Sequence, residues 1–170
     1  MPRRRSASRR SRGTVGQVGL GIMGGAFARH LLTAGFNVVG YDVAPAAVRA
    51  LTRAGGRAAR SAAEVAARTR ILITSLPSPA AMEEAFFGKQ GIAAGARPGT
   101  IVIEASTMTL ELKQSLRRRL ARKRVVMLDC PISGTGAQAA AKDIAIYASG
   151  ERRAFNRCRR VFDGFARSTY

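Results

Sequence analysis

Gly19-Leu20-Gly21-Ile22-Met23-Gly24 stands between an apolar run, Thr14 to Val18, and a helical stretch, Ile22 to Ala34, that closes at Gly35. Three glycines at this spacing restrict the local chain severely. The first permits a tight turn out of a strand, and the second lets the backbone approach a pyrophosphate. The third lets helix and strand pack closely. The helix N-terminus then aims its free N–H groups at the phosphates. In a chain with 18 glycines the pattern alone is weak. Its place between a strand and a helix gives it force.

The rest of the chain repeats that alternation. Asn37 to Tyr41 reads as a second strand, and Pro45 to Ala54 as a helix with Pro45 in its first turn, where the missing N–H costs little. A brief extended segment near Arg57 to Ala59 precedes a helix from Ala62 to Arg68. Ile71 to Leu76, Thr100 to Glu104 and Val125 to Asp129 are continuous apolar runs, as expected of strands with helices on both faces. Helices are expected around Pro79 to Phe87 and from Leu110 to Lys123. The latter carries Leu112, Leu116 and Leu120 on one stripe, Glu111 in its first turn and Thr109 as N-cap. A last strand, Ile144 to Ala148, leads into a helix with Phe155, Cys158, Phe162 and Phe165 on its inner stripe. The fold class is therefore α/β, a doubly wound parallel sheet of the Rossmann type.

Chemistry gathers where such a sheet binds ligands, at the carboxyl ends of its strands. Asp42 ends the second strand, 18 residues after Gly24, and is the only acid in the first 63 positions. An acid there would accept hydrogen bonds from the ribose hydroxyls of an adenosine; the plainer role is a turn-former before Pro45. Leu76-Pro77, Ser106-Thr107 and Cys130-Pro131-Ile132-Ser133-Gly134 close three further strands. Each is ordinary turn chemistry singly. Together with the glycine loop they converge on one edge.

Charge qualifies this picture. The chain has 29 Lys and Arg against 10 Asp and Glu, a net charge of +19. Residues 1–13, with Arg3, Arg4, Arg5, Arg9, Arg10 and Arg12, are expected to form a disordered basic arm, and residues 14–170 the folded domain. Non-specific nucleic-acid contact through the arm is one reading; a solvated tail is the simpler one, since no aromatic side chains interleave for base stacking. A short transit peptide is a third. No stretch of 18 apolar residues is free of charge, which excludes a membrane-spanning helix. Two cysteines are too few for a disulfide scaffold and suit a reducing cytoplasm. The lone His30 reads as a packing or surface residue, and no metal site is expected.

The run Val15 to Gly25, Asp42, Leu76-Pro77, Ser106-Thr107 and Asp129 to Gly134 resembles the β-hydroxyacid dehydrogenases. That group includes 3-hydroxyisobutyrate dehydrogenase, tartronate semialdehyde reductase and the cofactor domain of 6-phosphogluconate dehydrogenase. The resemblance implies that Gly19, Leu20, Gly21, Ile22, Met23, Gly24 and Asp42 hold NAD, with Leu76, Pro77 and Thr107 lining the cofactor. It implies that Ser133, Gly134 and Thr135 meet the carboxylate of a small hydroxy acid or semialdehyde. Tyr41-Asp42 looks like the NAD type, where relatives with an Asn-Arg pair take NADP.

The chain departs from the pattern at four points. Thr135 replaces a glycine, Cys130 a smaller residue, and Lys142-Asp143-Ile144 the usual Gly-Thr-Leu. The sequence also stops at Tyr170, before the all-helical C-terminal domain that supplies the family's catalytic lysine. The expectation is an oxidoreductase's NAD(P)-binding domain, incomplete as this chain, its catalytic group unknown and its uncovered face open to self-association. A catalytically inactive dinucleotide-binding fragment or a basic nucleic-acid-associated module is the alternative. Removing residues 1–13 is expected to leave NAD affinity unchanged in a titration; a loss of affinity would give the arm a role at the site.

Overall fold

A computed structural model describes residues 11–170. The part of the basic arm before Ser11 lies outside the described residues. Ser11 to Gly13 are tied to the fold: Arg12 N–H donates to the Gly35 carbonyl at 3.0 Å, and Asn37 N–H donates to the Gly13 carbonyl at 2.9 Å.

Each β-α step returns the chain to one parallel sheet. β1 (Thr14–Val18), α1 (Ile22–Thr33) and β2 (Asn37–Tyr41) make the first crossover, and α2 (Pro45–Arg53) leads to the edge strand β3 (Arg57–Ala58). The chain then crosses through α3 (Ala62–Arg68) to β4 (Ile71–Thr74) on the other side of β1. α4 (Pro79–Phe87) and the single turn α5 (Ile92–Gly95) precede β5 (Ile101–Glu104); α6 (Leu110–Ala121) precedes β6 (Val126–Asp129). The strand order is β3-β2-β1-β4-β5-β6, so the winding reverses between β1 and β4. A crevice at the carboxyl ends of those two strands is the expected ligand position.

Apolar side chains cover both faces. Phe27, Leu31, Phe162 and Phe165 are fully buried on one face, under α1 and α8 (Arg152–Phe165). Val65, Met82, Phe86, Leu116 and Leu120 fill the other, under α3, α4 and α6. Cys158 lies in the first of these clusters, where burial pushes its thiol up to about 12, so it is a packing residue as its stripe indicated.

After β6 the structure differs from the sequence reading. The last expected strand, Ile144 to Ala148, shrinks to β8 (Ala145–Ile146) and leaves the main sheet. It pairs antiparallel with β7 (Ile132–Ser133) and parallel with β9 (Ser168–Thr169). Pro131 lacks the N–H that would continue β6's ladder. A short helix, α7 (Gly136–Ala140), fills the interval.

Lys142 explains one departure from the glycine expected there. Its φ is +60°, in the left-handed region that a side chain enters at a cost of roughly 1–2 kcal/mol. Its ammonium donates to the Asp163 carbonyl at 2.7 Å on the exposed surface, a weak compensation. Lys142→Gly is therefore expected to raise stability by about 0.5–1 kcal/mol, net of glycine's extra unfolded-state entropy, in chemical denaturation. A lower midpoint would show that the Asp163 contact outweighs the strain.

Candidate functional site

The glycine loop leaves no freedom at its ends. Gly19 has φ +85°, and a Cβ there would strike the Ser75 carbonyl on the neighbouring strand exit. A Cβ on Gly24 would strike the Gly19 carbonyl, so α1 seats against the loop only because both residues lack one. Gln17, buried under the turn, donates from Nε2 to that same carbonyl at 2.9 Å. Gly21 differs: nothing lies within 4 Å of where its Cβ would be. It is the N-cap of α1, offers no side-chain cap, and no acid occupies the first turn. The leading N–H groups of a twelve-residue helix therefore lack side-chain partners beside open space. That suits an anionic diphosphate.

The open space is a cleft of about 740 Å³ whose lining includes Gly19, Gly21, Ile22, Met23, Asp42, Leu76 and Pro77. Asp42 is fixed at its rim. Its Oδ2 accepts the Leu20 N–H at 2.6 Å and its Oδ1 the Ala44 N–H at 2.7 Å. The second bond is the turn expected before Pro45, and the first ties the acid to the glycine loop. A carboxylate oxygen can accept more than one hydrogen bond, so both remain able to receive ribose hydroxyls. Val18, Tyr41, Val43, Ala62, Ser75, Ala81, Glu84, Ala85, Lys89 and Gln90 complete the wall. Of these, sequence reasoning singled out only Tyr41, beside Asp42; the α3 and α4 side of the cleft carries no motif.

Leu20, Gly24, Thr107 and the Ser133-Gly134-Thr135 loop are not cleft-lining. Leu20 turns its side chain into the core and contributes its N–H to Asp42; Gly24 acts through packing; Thr107 is exposed next to the cleft's supporting strand. Just after the expected substrate loop, Gly136 lies against Ile22: a Cβ on it would come within 2.5 Å of that side chain. Gly134 has φ +144°. Thr135 keeps an extended backbone and N-caps α7 in a capping box: its hydroxyl accepts the Gln138 N–H, and Gln138 Oε1 accepts the Thr135 N–H at 2.9 Å. His30 Nε2 lies 2.9 Å from the Ala139 carbonyl, joining α1 to α7, so it packs as the sequence indicated.

A charged cluster escaped the sequence reading. Glu104, fully buried at the end of β5, lies beside Asp129, its register partner at the end of β6. Lys113, buried on α6, reaches both: Nζ is 2.9 Å from Glu104 Oε2 and 2.5 Å from Asp129 Oδ1. Burial opposes its charge, but hydrogen bonds to Asp129 and Glu104 outweigh that and hold the ammonium above the usual lysine value. The inner stripe of α6 is thus Lys113, Leu116 and Leu120, with Leu112 half-buried beside it. Spacing alone could have placed Lys113 there, three residues before Leu116.

Comparison with known proteins agrees with this geometry. Residues 14–170 match the NAD binding domain of 6-phosphogluconate dehydrogenase. The chain belongs to that family. It is an NAD(P)-binding Rossmann domain, similar to those of several hydroxy-acid dehydrogenases. It is 35% identical to an L-threonate dehydrogenase of Cupriavidus necator over 92% of this chain and 52% of that protein. It is 32% identical to an NAD-dependent L-serine dehydrogenase of Pseudomonas aeruginosa, covering 90% of this chain and 51% of that one. The solved Mycobacterium tuberculosis 3-hydroxyisobutyrate dehydrogenase with L-serine superposes with a TM-score of 0.87 at 30% identity, covering 92% of this chain and 53% of that one. The chain spans about half the length of the curated relatives it matches.

The lysine cluster makes a prediction about alkaline stability. A pKa raised by folding stabilises fully below the unfolded value and loses that contribution as pH climbs through the folded one. Wild type should therefore melt well above Lys113→Met at neutral pH, with the gap narrowing above roughly pH 10.5. A gap that persists undiminished in strong alkali would contradict the pairing.

Proposed function

We propose that this NAD(P)-binding domain serves an oxidoreductase acting on a small 3-hydroxy acid or semialdehyde, with NAD preferred over NADP. The observation that carries the reading is the uncapped α1 N-terminus facing the same cleft as Asp42, at the point where the sheet's winding reverses. The N–H groups of α1 would hold the diphosphate, and Asp42 the adenosine ribose. A bound nicotinamide would supply the hydride acceptor or donor. The protein's part is to bind, orient and screen. Leu76 and Pro77 would form the apolar wall against the cofactor. Ser133, Gly134 and Thr135 would orient the substrate carboxylate, with the Thr135 N–H already engaged by Gln138 and Ser133 and Gly134 therefore the principal donors. Both cysteines are free and buried, which suits a reducing cytoplasm.

The NAD preference rests on charge. A 2′-phosphate at Asp42 would meet a fixed carboxylate whose two oxygens are already aimed by backbone N–H groups. NADH is expected to bind about ten- to hundredfold more tightly than NADPH, the worth of about one hydrogen bond to a charged group. Asp42→Ala should narrow that difference. Equal affinities in the unmutated protein, by titration calorimetry at moderate salt, would overturn the assignment.

A further inference from the structure

Lys113 lies outside the cofactor cleft, yet one buried ion pair followed by two hydrogen bonds leads from it to the cleft wall. Its ammonium lies between Glu104 and Asp129, the carboxylates that parallel register places side by side at the ends of β5 and β6. Glu104 turns its other oxygen away from Lys113: Oε1 accepts the Ser106 N–H at 2.8 Å. Ser106, itself buried, accepts the Leu76 N–H on its Oγ at 2.9 Å. Leu76 and Pro77 line the cleft, and the preceding residue, Ser75, is the one whose carbonyl excludes a side chain at Gly19.

From this arrangement we infer that Lys113 is a positioning residue for the cofactor wall, acting through Glu104 and Ser106 on Leu76. The physical reason is repulsion. Without a cation between them, two adjacent carboxylates, one of them fully buried, cannot both stay charged and in register. Moving the end of β5 carries Ser106 with it, and Leu76 loses the acceptor that fixes its N–H. Asp129 brings the same restraint to the other side, since it opens the segment leading to Ser133 and pairs with Ser149 through both of its backbone groups, at 3.0 and 2.7 Å. One ammonium thus links the strand end that supports the cofactor wall to the strand end that starts the proposed substrate loop. A lysine placed only for stability would affect melting and nothing else.

The inference rests on the NAD-binding reading, and a double-mutant cycle separates the two. NADH affinity is measured by fluorescence for wild type, Lys113→Gln, Ser106→Ala and the double variant, well below their melting temperatures. Lys113→Gln is expected to weaken NADH about tenfold, the worth of one buried hydrogen bond. It should add almost nothing in the Ser106→Ala background, because the path is already cut there. Lys113→Arg, which keeps the cation, should bind within about threefold of wild type on the same scale. Wild-type affinity in Lys113→Gln, or effects of the two substitutions that simply multiply, would overturn the positioning role while leaving the NAD reading intact. If the wild type itself fails to bind NADH, both fall. Should Lys113→Gln not fold, Glu104→Leu combined with Lys113→Met takes its place in the cycle. Apolar side chains often replace a buried ion pair without loss of stability, and the same two outcomes decide.

Discussion

Gly24 lies so close to the Gly19 carbonyl that any side chain would collide with it, and Gly19 is equally confined by the carbonyl of Ser75. These two contacts bring the start of α1 against the exits of β1 and β4. Everything at the candidate site depends on that closeness. It leaves Gly21 and the uncapped first turn as the floor of the cleft, with Asp42 on one side and Leu76-Pro77 on the other. A β-carbon at either position would push the helix off the sheet and move its first turn out of the cleft.

Two different kinds of interaction then hold the rim. On the β2 side the restraint is local, since Asp42 receives backbone N–H groups from Leu20 and Ala44 and so joins the glycine loop to the turn after β2. On the β4 side it is relayed from β5 and β6 through Ser106 and Glu104 to Lys113. The second route is the costlier design, because it buries a carboxylate and an ammonium that must remain paired. It also joins two loops that the backbone alone would leave independent.

The sheet, its helices and the glycine loop were legible because they rest on local pattern: continuous apolar runs, helical spacing, and glycines between a strand and a helix. Asp42 was legible as the lone acid in a basic stretch; its plainer reading is seen directly in the turn through Ala44, and its bond from Leu20 puts the same carboxylate beside the glycine loop, where the ribose reading needs it. Lys113 was legible only as a position: its spacing from Leu116 puts it on the inner stripe of α6, but the two carboxylates that let it be buried come together only through the register of β5 and β6. The segment after Asp129 was half legible. Pro131 and Gly134 announced turns, but the capping box of Thr135 and Gln138 and the left-handed Lys142 belong to a five-residue helix whose apolar pattern is too short to read. The α3 and α4 wall of the cleft offered only alanines and scattered polar residues.

The N-terminus of α1, with Asp42 beside it, is where a dinucleotide should bind. Backbone amide resonances of isotopically labelled protein, followed during addition of NADH, test this most directly. The largest shifts are expected at Ile22, Met23 and Gly24, with Leu20 and Ala44 moving as Asp42 takes up the ribose. If those amides stay still while α6 around Arg117, Arg118 and Arg119 and α8 around Arg157, Arg159 and Arg160 respond, NADH is acting as a simple polyanion and the α1 N-terminus is not its site.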